Sequence, residues 1–327
     1  MDFFDVLRLC GGLALFLFGM RYMGKKLEKQ TGRKLEPLLE RFTENKFKGF
    51  LTGAAGAALM QSSSAVTVMV VGFVDSELIS LQNATGIIIG SNVGTTLTSW
   101  ILSLSGVEGG TPVLDLLKPS SLAPIAAVAG ILLFSGKRSN RKDIGGIILG
   151  FAVLMTGLNI MADSASGIKS EPWAMEMLTL FSHPAAGIAA GALLTAVVQS
   201  SSASVGILQT LSLTGGISFR SCVPIILGQN IGTCATTLIS GAGASENAKR
   251  AALIHLYFNV FSSVIFYAAF MIILKAVNIP RIYEPADAVG IAAIHTVFNV
   301  FSAAVMLPLS SFLEKTAIKS IRKAKKC

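Results

Sequence analysis

The sequence predicts an all-α polytopic membrane protein, on the strength of its composition, the length of its apolar runs and their texture. Of 327 residues, 52% are hydrophobic and only 14% charged, and the mean hydropathy is +0.66, far from the balance of a soluble domain. Apolar runs able to cross a hydrocarbon core of about 30 Å recur near 6–23, 50–73, 84–104, 119–135, 144–161, 186–210, 221–242, 251–277 and 288–313. They are continuous and rich in Gly, Ala, Leu and Ile rather than short and alternating. Helices, not barrel strands, therefore satisfy the backbone in lipid.

The first run is expected to remain as a helix. Asp2 and Asp5 precede it and Arg21, Lys25 and Lys26 follow it, the reverse of a cleaved signal peptide. Cys10, Cys222, Cys234 and Cys327 show no metal-ligand spacing, and no disulfide framework is indicated. The net charge of +9 sits in loops and tails, and an aromatic content of 8% offers no stacking platform, so no nucleic-acid partner is expected. The lysines and arginines instead set orientation. They gather at 24–49 (Lys25, Lys26, Lys29, Arg33, Lys34, Arg41, Lys46, Lys48), at 137–142 (Lys137, Arg138, Arg141, Lys142) and in the tail from Lys315 to Lys326. The positive-inside rule makes all three cytoplasmic. The segment 162–185, with Asp163, Glu171 and Glu176 against a lone Lys169, is then external. The expectation is a multi-pass plasma-membrane protein with its N-terminus outside and its C-terminus in the cytoplasm.

The chain repeats itself. Gln61-Ser62-Ser63-Ser64-Ala65 returns as Gln199-Ser200-Ser201-Ser202-Ala203, an offset of 199 − 61 = 138. The same shift carries Gly90, Asn92, Gly94, Thr95 and Thr98 onto Gly228, Asn230, Gly232, Thr233 and Thr236. It also carries Gly12, Gly19, Met23, Gly49 and Gly53 onto Gly150, Gly157, Met161, Gly187 and Gly191. A gapless shift with a shared polar motif marks a duplication.

The two copies point opposite ways, because the basic 24–49 stretch corresponds to the acidic external one. That is an inverted-topology repeat, a plan common among secondary transporters. Repeat 1 spans 1–140 and repeat 2 spans 141–277; an extra C-terminal transmembrane helix and basic cytoplasmic tail occupy 278–327. Within each repeat two apolar runs must make one net crossing. The solution is a re-entrant helical hairpin (50–73 and 186–210) tipped by the Gln-Ser-Ser-Ser motif, followed by a crossing helix (84–104 and 221–242). Gly pairs flanking Asn92 and Asn230 predict that the crossing helix is broken there.

Irregular backbone at mid-depth survives only beside protein or a wet cavity. Hydroxyls, amides and half-helix N-termini gathered at such tips suit an oxyanion. No Lys or Arg lies between Gly49 and Leu117, nor between Glu171 and Phe219. An anion there would lack a countercharge from either hairpin, and burying it alone is costly. A cotransported cation held by hard oxygen ligands meets that need.

The paired QSSSA motifs, each followed by a Gly-[Ser/Gln]-Asn-[Val/Ile]-Gly-Thr element at Gly90–Thr95 and Gly228–Thr233, resemble the sodium-dependent phosphate cotransporter family of type II carriers and their bacterial members. The resemblance spans nearly the whole chain. It implies inorganic phosphate as substrate, sodium as coupling ion with no further cofactor, alternating access, a bacterial inner-membrane location and no enzymatic activity. It implies that Gln61, Ser62, Ser63, Ser64, Gln199, Ser200, Ser201, Ser202, Asn92 and Asn230 contact phosphate. Sodium would fall to Gln61, Ser64, Thr95, Thr98, Gln199, Ser202, Thr233 and Thr236. A homodimer is compatible with it. Bacterial members often append a soluble helical regulatory domain, whereas this sequence ends in the basic tail at Cys327. A phosphate exporter or a carrier of another oxyanion is the alternative within transport; a channel would use the same tips as a filter.

His255 and Asn259, like His295 and Asn299, lie four apart on one helix face. Interhelical hydrogen bonding that ties the last two helices to the core is the reading adopted for them, over a proton relay. The serine runs lack the flanks of a nucleophile elbow. Asp75 and Glu77 are expected in a water-facing loop, and the mixed-charge face of 24–49, with Glu28, Glu36, Glu40 and Glu44, in solvent.

Overall fold

A computed structural model describes residues 3–41, 45–106, 116, 118–136, 138–165, 181, 183–213 and 215–321. Twelve α-helices carry the described residues: α1 Phe3–Arg41, α2 Lys46–Met60, α3 Ser63–Asp75, α4 Leu81–Leu102, α5 Pro119–Phe134, α6 Ser139–Ala165, α7 Pro184–Val198, α8 Ser201–Ser212, α9 Phe219–Gly241, α10 Glu246–Ala276, α11 Ala288–Met306 and α12 Ser310–Ser320. No strand forms among them beyond an isolated bridge between Ser218 and Pro285. Five helices, Phe4–Thr31, Ser139–Ser164, Phe219–Gly241, Glu246–Ala276 and Ala288–Met306, are long and apolar enough to cross a membrane. Large apolar side chains point outward from several helices, among them Val197 at 73% exposure and Leu132 at 71%. Water penalises such a surface and lipid does not. The protein is all-α and membrane-embedded in character.

The helix boundaries repeat at the offset found in the sequence. α2 begins at Lys46 and α7 at Pro184, α3 at Ser63 and α8 at Ser201, α4 at Leu81 and α9 at Phe219. The stops and starts have local causes that repeat as well. Ser62 and Ser200, in extended conformation, cap α3 and α8 by accepting from Ala65 N at 3.1 Å and Ala203 N at 3.2 Å. Ser80 and Ser218 cap α4 and α9 in the same way.

α2 lies along α4 with residue numbers rising together: Lys46 beside Gly86, Phe50 beside Gly90, Ala54 beside Gly94. The two helices are therefore parallel, and α3 returns the chain from the end of α2 toward the start of α4. The apparatus is the same in α7 and α9. The contact is tight enough that a Cβ on Gly90 would sit 1.9 Å from the Phe50 carbonyl oxygen, and one on Gly228 2.0 Å from that of Ile188. Here the expectation of a broken crossing helix is corrected. α4 and α9 run unbroken through Asn92 and Asn230, and the flanking glycines serve backbone-to-backbone approach rather than unwinding.

α1 and α6 pack antiparallel, Gly12 against Met161 and Gly19 against Leu154. The contact is its own mirror. A Cβ on Gly19 would lie 2.4 Å from Leu154 N, and one on Gly157 2.4 Å from Phe16 N, with Gly150 and Gly12 carbonyls next in line. Shifting each partner by 138 exchanges the two halves of this list.

Two boundaries differ from expectation. The segment read as a cytoplasmic loop from 24 is helical to Arg41, so α1 is 39 residues long, because its charged residues are strong helix formers. The last apolar run divides at Leu307–Leu309, between α11 and α12. Asp75 is exposed, as expected, and also accepts from Ser245 N at 2.7 Å at the start of α10. Glu171, Glu176, Lys169, Lys137 and Lys326 lie outside the described residues, as do the side chains of Arg33, Lys34, Glu36, Glu40, Arg41 and Glu44. Cys10, Cys222 and Cys234 are free thiols, and Cys327 lies outside the described residues.

Candidate functional site

Between α2 and α3 the chain turns over at Gln61, and between α7 and α8 at Gln199. Both residues hold a left-handed backbone, φ 53° and ψ 30° at Gln61, φ 59° and ψ 26° at Gln199. Glycine is the usual occupant of that position at a helix end, and a side chain there costs about 1–2 kcal/mol. Two glutamines at matched positions carry that strain, and strain held in place is a mark of function.

Both turns open onto one cavity of about 380 Å³. Gln61 and Ser62 line it from the first half, Gln199, Ser200 and Thr236 from the second. At roughly 30 Å³ for a water, it has room for a tetrahedral oxyanion, a small cation and their remaining hydration. Its third wall is α1, which contributes Leu17, Met20, Arg21, Gly24, Lys25 and Glu28. Ser200 Oγ donates to Met20 Sδ at 3.8 Å, and Gln61 Oε1 is buried with no hydrogen-bond partner among the described residues.

Apart from Thr236, the remaining residues expected at the site do not line the cavity. Ser63, Ser201 and Ser202 are buried in the first turns of α3 and α8, and Ser64 is half-buried beside them. Asn92 and Asn230 are buried and donate to carbonyls one turn back, Ile88 O at 2.9 Å and Ile226 O at 2.8 Å. Thr95 and Thr233 do likewise to Ser91 O and Gln229 O. Thr236 donates to Thr233 O, whereas the Thr98 hydroxyl is buried without a partner among the described residues.

Sequence reasoning missed the α1 wall. In the sequence Arg21 serves only to argue against a cleaved signal peptide and Lys25 belongs to the orientation cluster, yet their spacing of four on a helix that does not stop at residue 23 puts both on one face. Their neighbours Lys26 and Lys29 turn instead to Asp143, at 3.0 and 2.7 Å.

The two histidines do what the interhelical reading expects. His255 Nδ1 pairs with Thr237 Oγ1 at 3.0 Å and His295 Nδ1 with Ser99 Oγ at 3.1 Å. Thr237 and Ser99 are themselves equivalent under the 138-residue shift. Asn259 and Asn299 donate back to the histidine carbonyls of their own helices.

The family profile described as Na+/Pi-cotransporter matches residues 15–163 and 170–282, which include both turns and the whole cavity. The chain belongs to the Na+/Pi-cotransporter family. Membership puts it among membrane transporters of phosphate. Among individual relatives, the uncharacterized protein YqeW of Bacillus subtilis (strain 168) is 29% identical over 251 residues, 76% of this chain and 77% of YqeW. YjbB of Escherichia coli (strain K12), provisionally named an inorganic phosphate export protein, is 28% identical over 265 residues. That match covers 80% of this chain and 46% of YjbB, so the chain spans about half the length of that relative. The sodium-dependent phosphate transport protein 2A of Rattus norvegicus is 38% identical over 92 residues, 26% of this chain and 14% of that protein. No solved structure matches the chain.

Proposed function

We propose that the protein is a secondary carrier that moves inorganic phosphate across the plasma membrane together with sodium, by alternating access to the cavity between the two glutamine turns. The observation that carries the reading is the pair of strained, non-glycine turns, 138 residues apart, lining one shared cavity. Phosphate would be held by the Gln61–Ser64 and Gln199–Ser202 segments, whose side chains and first-turn amides are donors at positive helix ends. Sodium would take oxygens of the same segments together with Thr95, Thr98, Thr233 and Thr236, neutralising the anion as both are buried. Asn92 and Asn230, one helix layer behind, would steady the pocket rather than touch it.

The transport cycle in this reading uses two inverted repeats, 1–140 and 141–277, with 278–327 added to the second. Support comes from the antiparallel, self-mirroring contact of α1 and α6, which a two-fold axis lying in the membrane plane would generate. Support for re-entrant hairpins comes from length. α2 and α3 have 15 and 13 residues, about 22 and 20 Å at 1.5 Å per residue, short of a hydrocarbon core of about 30 Å. Orientation with the N-terminus outside and the C-terminus in the cytoplasm agrees with Lys46 reaching Glu314 at 3.5 Å and Ser310 at 2.8 Å, and with Lys26 and Lys29 reaching Asp143. In that frame the cavity, walled by α1 from Leu17 to Glu28, opens toward the cytoplasm.

Direction in the cell has a second reading. The 28% identity to YjbB over 80% of this chain favours export. The deciding experiment is radiolabelled phosphate flux into proteoliposomes, with sodium and proton gradients imposed separately. Saturable flux that requires the sodium gradient is expected. A voltage-scaled current that persists without sodium overturns the carrier in favour of a channel.

A further inference from the structure

Resting on the carrier reading above, we infer that the two vestibules of the transport cycle carry opposite charge, so that phosphate is captured more tightly from the α1 face than from the other. Arg21 and Lys25 stand one turn apart on α1, both exposed and both lining the cavity into which the glutamine turns open. The hairpins 50–73 and 186–210 bring no cation of their own, so among the described residues that line the cavity these two are the fixed positive charges an anion at the turns meets. Lys26 and Lys29, on the adjoining face, are committed to Asp143, which leaves the division of labour on this helix clear. Glu28 offsets one of the two charges and leaves the wall net positive.

The 138-residue shift gives the wall of the opposite vestibule. It carries Arg21 to Asn159 (21 + 138 = 159) and Lys25 to Asp163 (25 + 138 = 163), at the same helical spacing on α6. Because α1 and α6 pack as mirror images of one another, exchanging their roles exchanges these residues: a basic pair on one face becomes a neutral and an acidic residue on the other. Asn159 is half-buried and Asp163 exposed. A charged mouth concentrates the opposite ion and repels its own sign, with screening by salt. The α1 mouth therefore raises the encounter rate and dwell of phosphate, and the α6 mouth lowers them while admitting a cation. Net direction is still set by the gradients, because unequal affinities on the two faces change saturation and rate, not the equilibrium.

The test measures KM for inorganic phosphate separately from each face, in right-side-out and inverted vesicles, at fixed sodium and with choline chloride setting ionic strength. The expected result is a lower KM at the Arg21 face, raised about five- to tenfold by Arg21→Gln with Lys25→Gln, the size that a pair of screened charges supplies. The other face should move less than that, and Asp163→Asn should lower its KM. Arg21→Lys with Lys25→Arg should rescue the neutral pair. If the neutral pair fails to insert, the wild type still decides: added choline chloride should raise KM at the Arg21 face and not at the other. Wild-type flux with equal KM values, or an equal response of both faces to charge removal or to salt, overturns this proposal alone. Wild-type vesicles that move no phosphate refute the carrier reading and this proposal with it.

Discussion

At Gln61 and at Gln199 the backbone is the same to within a few degrees, but the two turns are tied to the rest of the molecule by different links. Behind the first turn, Thr67 Oγ1 donates to Ser64 O at 3.1 Å and pairs with Thr237 Oγ1 at 3.1 Å, which in turn meets His255 Nδ1 at 3.0 Å. A row of polar groups thus joins α3, α9 and α10 across the two halves of the chain. Behind the second turn the position equivalent to Thr67 is Val205, fully buried, so the Ser99–His295 pair that matches Thr237–His255 is not extended to that turn. Gln209 of α8 instead donates to Ser99 O at 3.0 Å and to Ala288 O at 2.9 Å, tying that turn to α4 and to the start of α11. The duplicated features are those that shape the backbone: the left-handed glutamine, the serine cap, the glycine seam. The features that differ are the contacts between halves, which have no need to match if the halves take different roles.

The strongest way to break this comparison is at the glycine seam, where both halves should fail alike. Gly90→Val and Gly228→Val each force a side chain against a carbonyl oxygen that leaves no room for a Cβ, and the overlap cannot be relieved by a rotamer change. Overpacking of this kind costs about 1–3 kcal/mol when the surroundings give way, and more when they are backbone. Both variants are expected to lose most monodisperse protein on size-exclusion chromatography. A tolerant Gly228 beside an intolerant Gly90 would mean that the two helix pairs are not packed equivalently.

The next largest effect separates strain from function. Gln61→Gly and Gln199→Gly relieve a left-handed residue, which favours the fold by up to about 1–2 kcal/mol, less part of that for the freer unfolded chain. Each is expected to keep or raise the melting temperature while cutting phosphate flux at least about tenfold, the loss that follows when a contact worth about 1.4 kcal/mol is removed. Thermal unfolding in detergent read beside vesicle flux checks both halves of that statement. Unimpaired flux in either glycine variant removes that turn from the site.

Much of this arrangement is legible in the sequence, and the parts that are not share a cause. The repeat, the breaks at Gln61 and Gln199 and the apolar helices follow from local pattern, because a shared motif, a serine cap and a run of lipid-compatible residues each act over a few positions. The Gly-x-Asn-x-Gly element is local too, but its spacing suits an unwound helix and a packing seam equally. Only the nearness of Phe50 and Ile188 decides for the seam. Arg21 and Lys25 are hidden for a similar reason. Hydropathy ends the first span at its first charges, and the positive-inside rule then accounts for those charges without needing the helix to continue past a cavity. The row from His255 to Ser64 joins residues as far as 170 positions apart, a relation that no local pattern carries.

That row supplies the third and smaller effect. Thr67→Val removes one buried hydrogen bond between halves, to Thr237, besides the one to Ser64 O on its own helix, and interhelical bonds in membrane proteins average about 0.6 kcal/mol with an upper end near 1.7. The melting temperature should fall by a degree or a few, and His255→Ala added to Thr67→Val should cost less than the sum of the single changes, because both act through Thr237. Strict additivity in the double variant would mean that Thr67 and His255 are not parts of one row.

The smallest effect concerns the ends of α1 and α6, where the mirror relation fails in charge. Lys26 and Lys29 both reach Asp143, but the shift by 138 carries Lys26 to Ser164 and Asp143 back to Asp5, so the equivalent end has no such pair of lysines. Both lysines are partly exposed, at 24% and 49%, and solvent screens much of their attraction to the carboxylate. Asp143→Asn should therefore lower thermal stability slightly, and the difference from the wild type should shrink as salt is raised. It should also leave Arg21 and Lys25 as they are, because Lys26 and Lys29 turn to Asp143 on the adjoining face of α1 and do not line the cavity. A shift in phosphate KM from Asp143→Asn as large as that from neutralising Arg21 and Lys25 would mean that the freed lysines swing into the cavity, and that the two faces of α1 share one pool of charge.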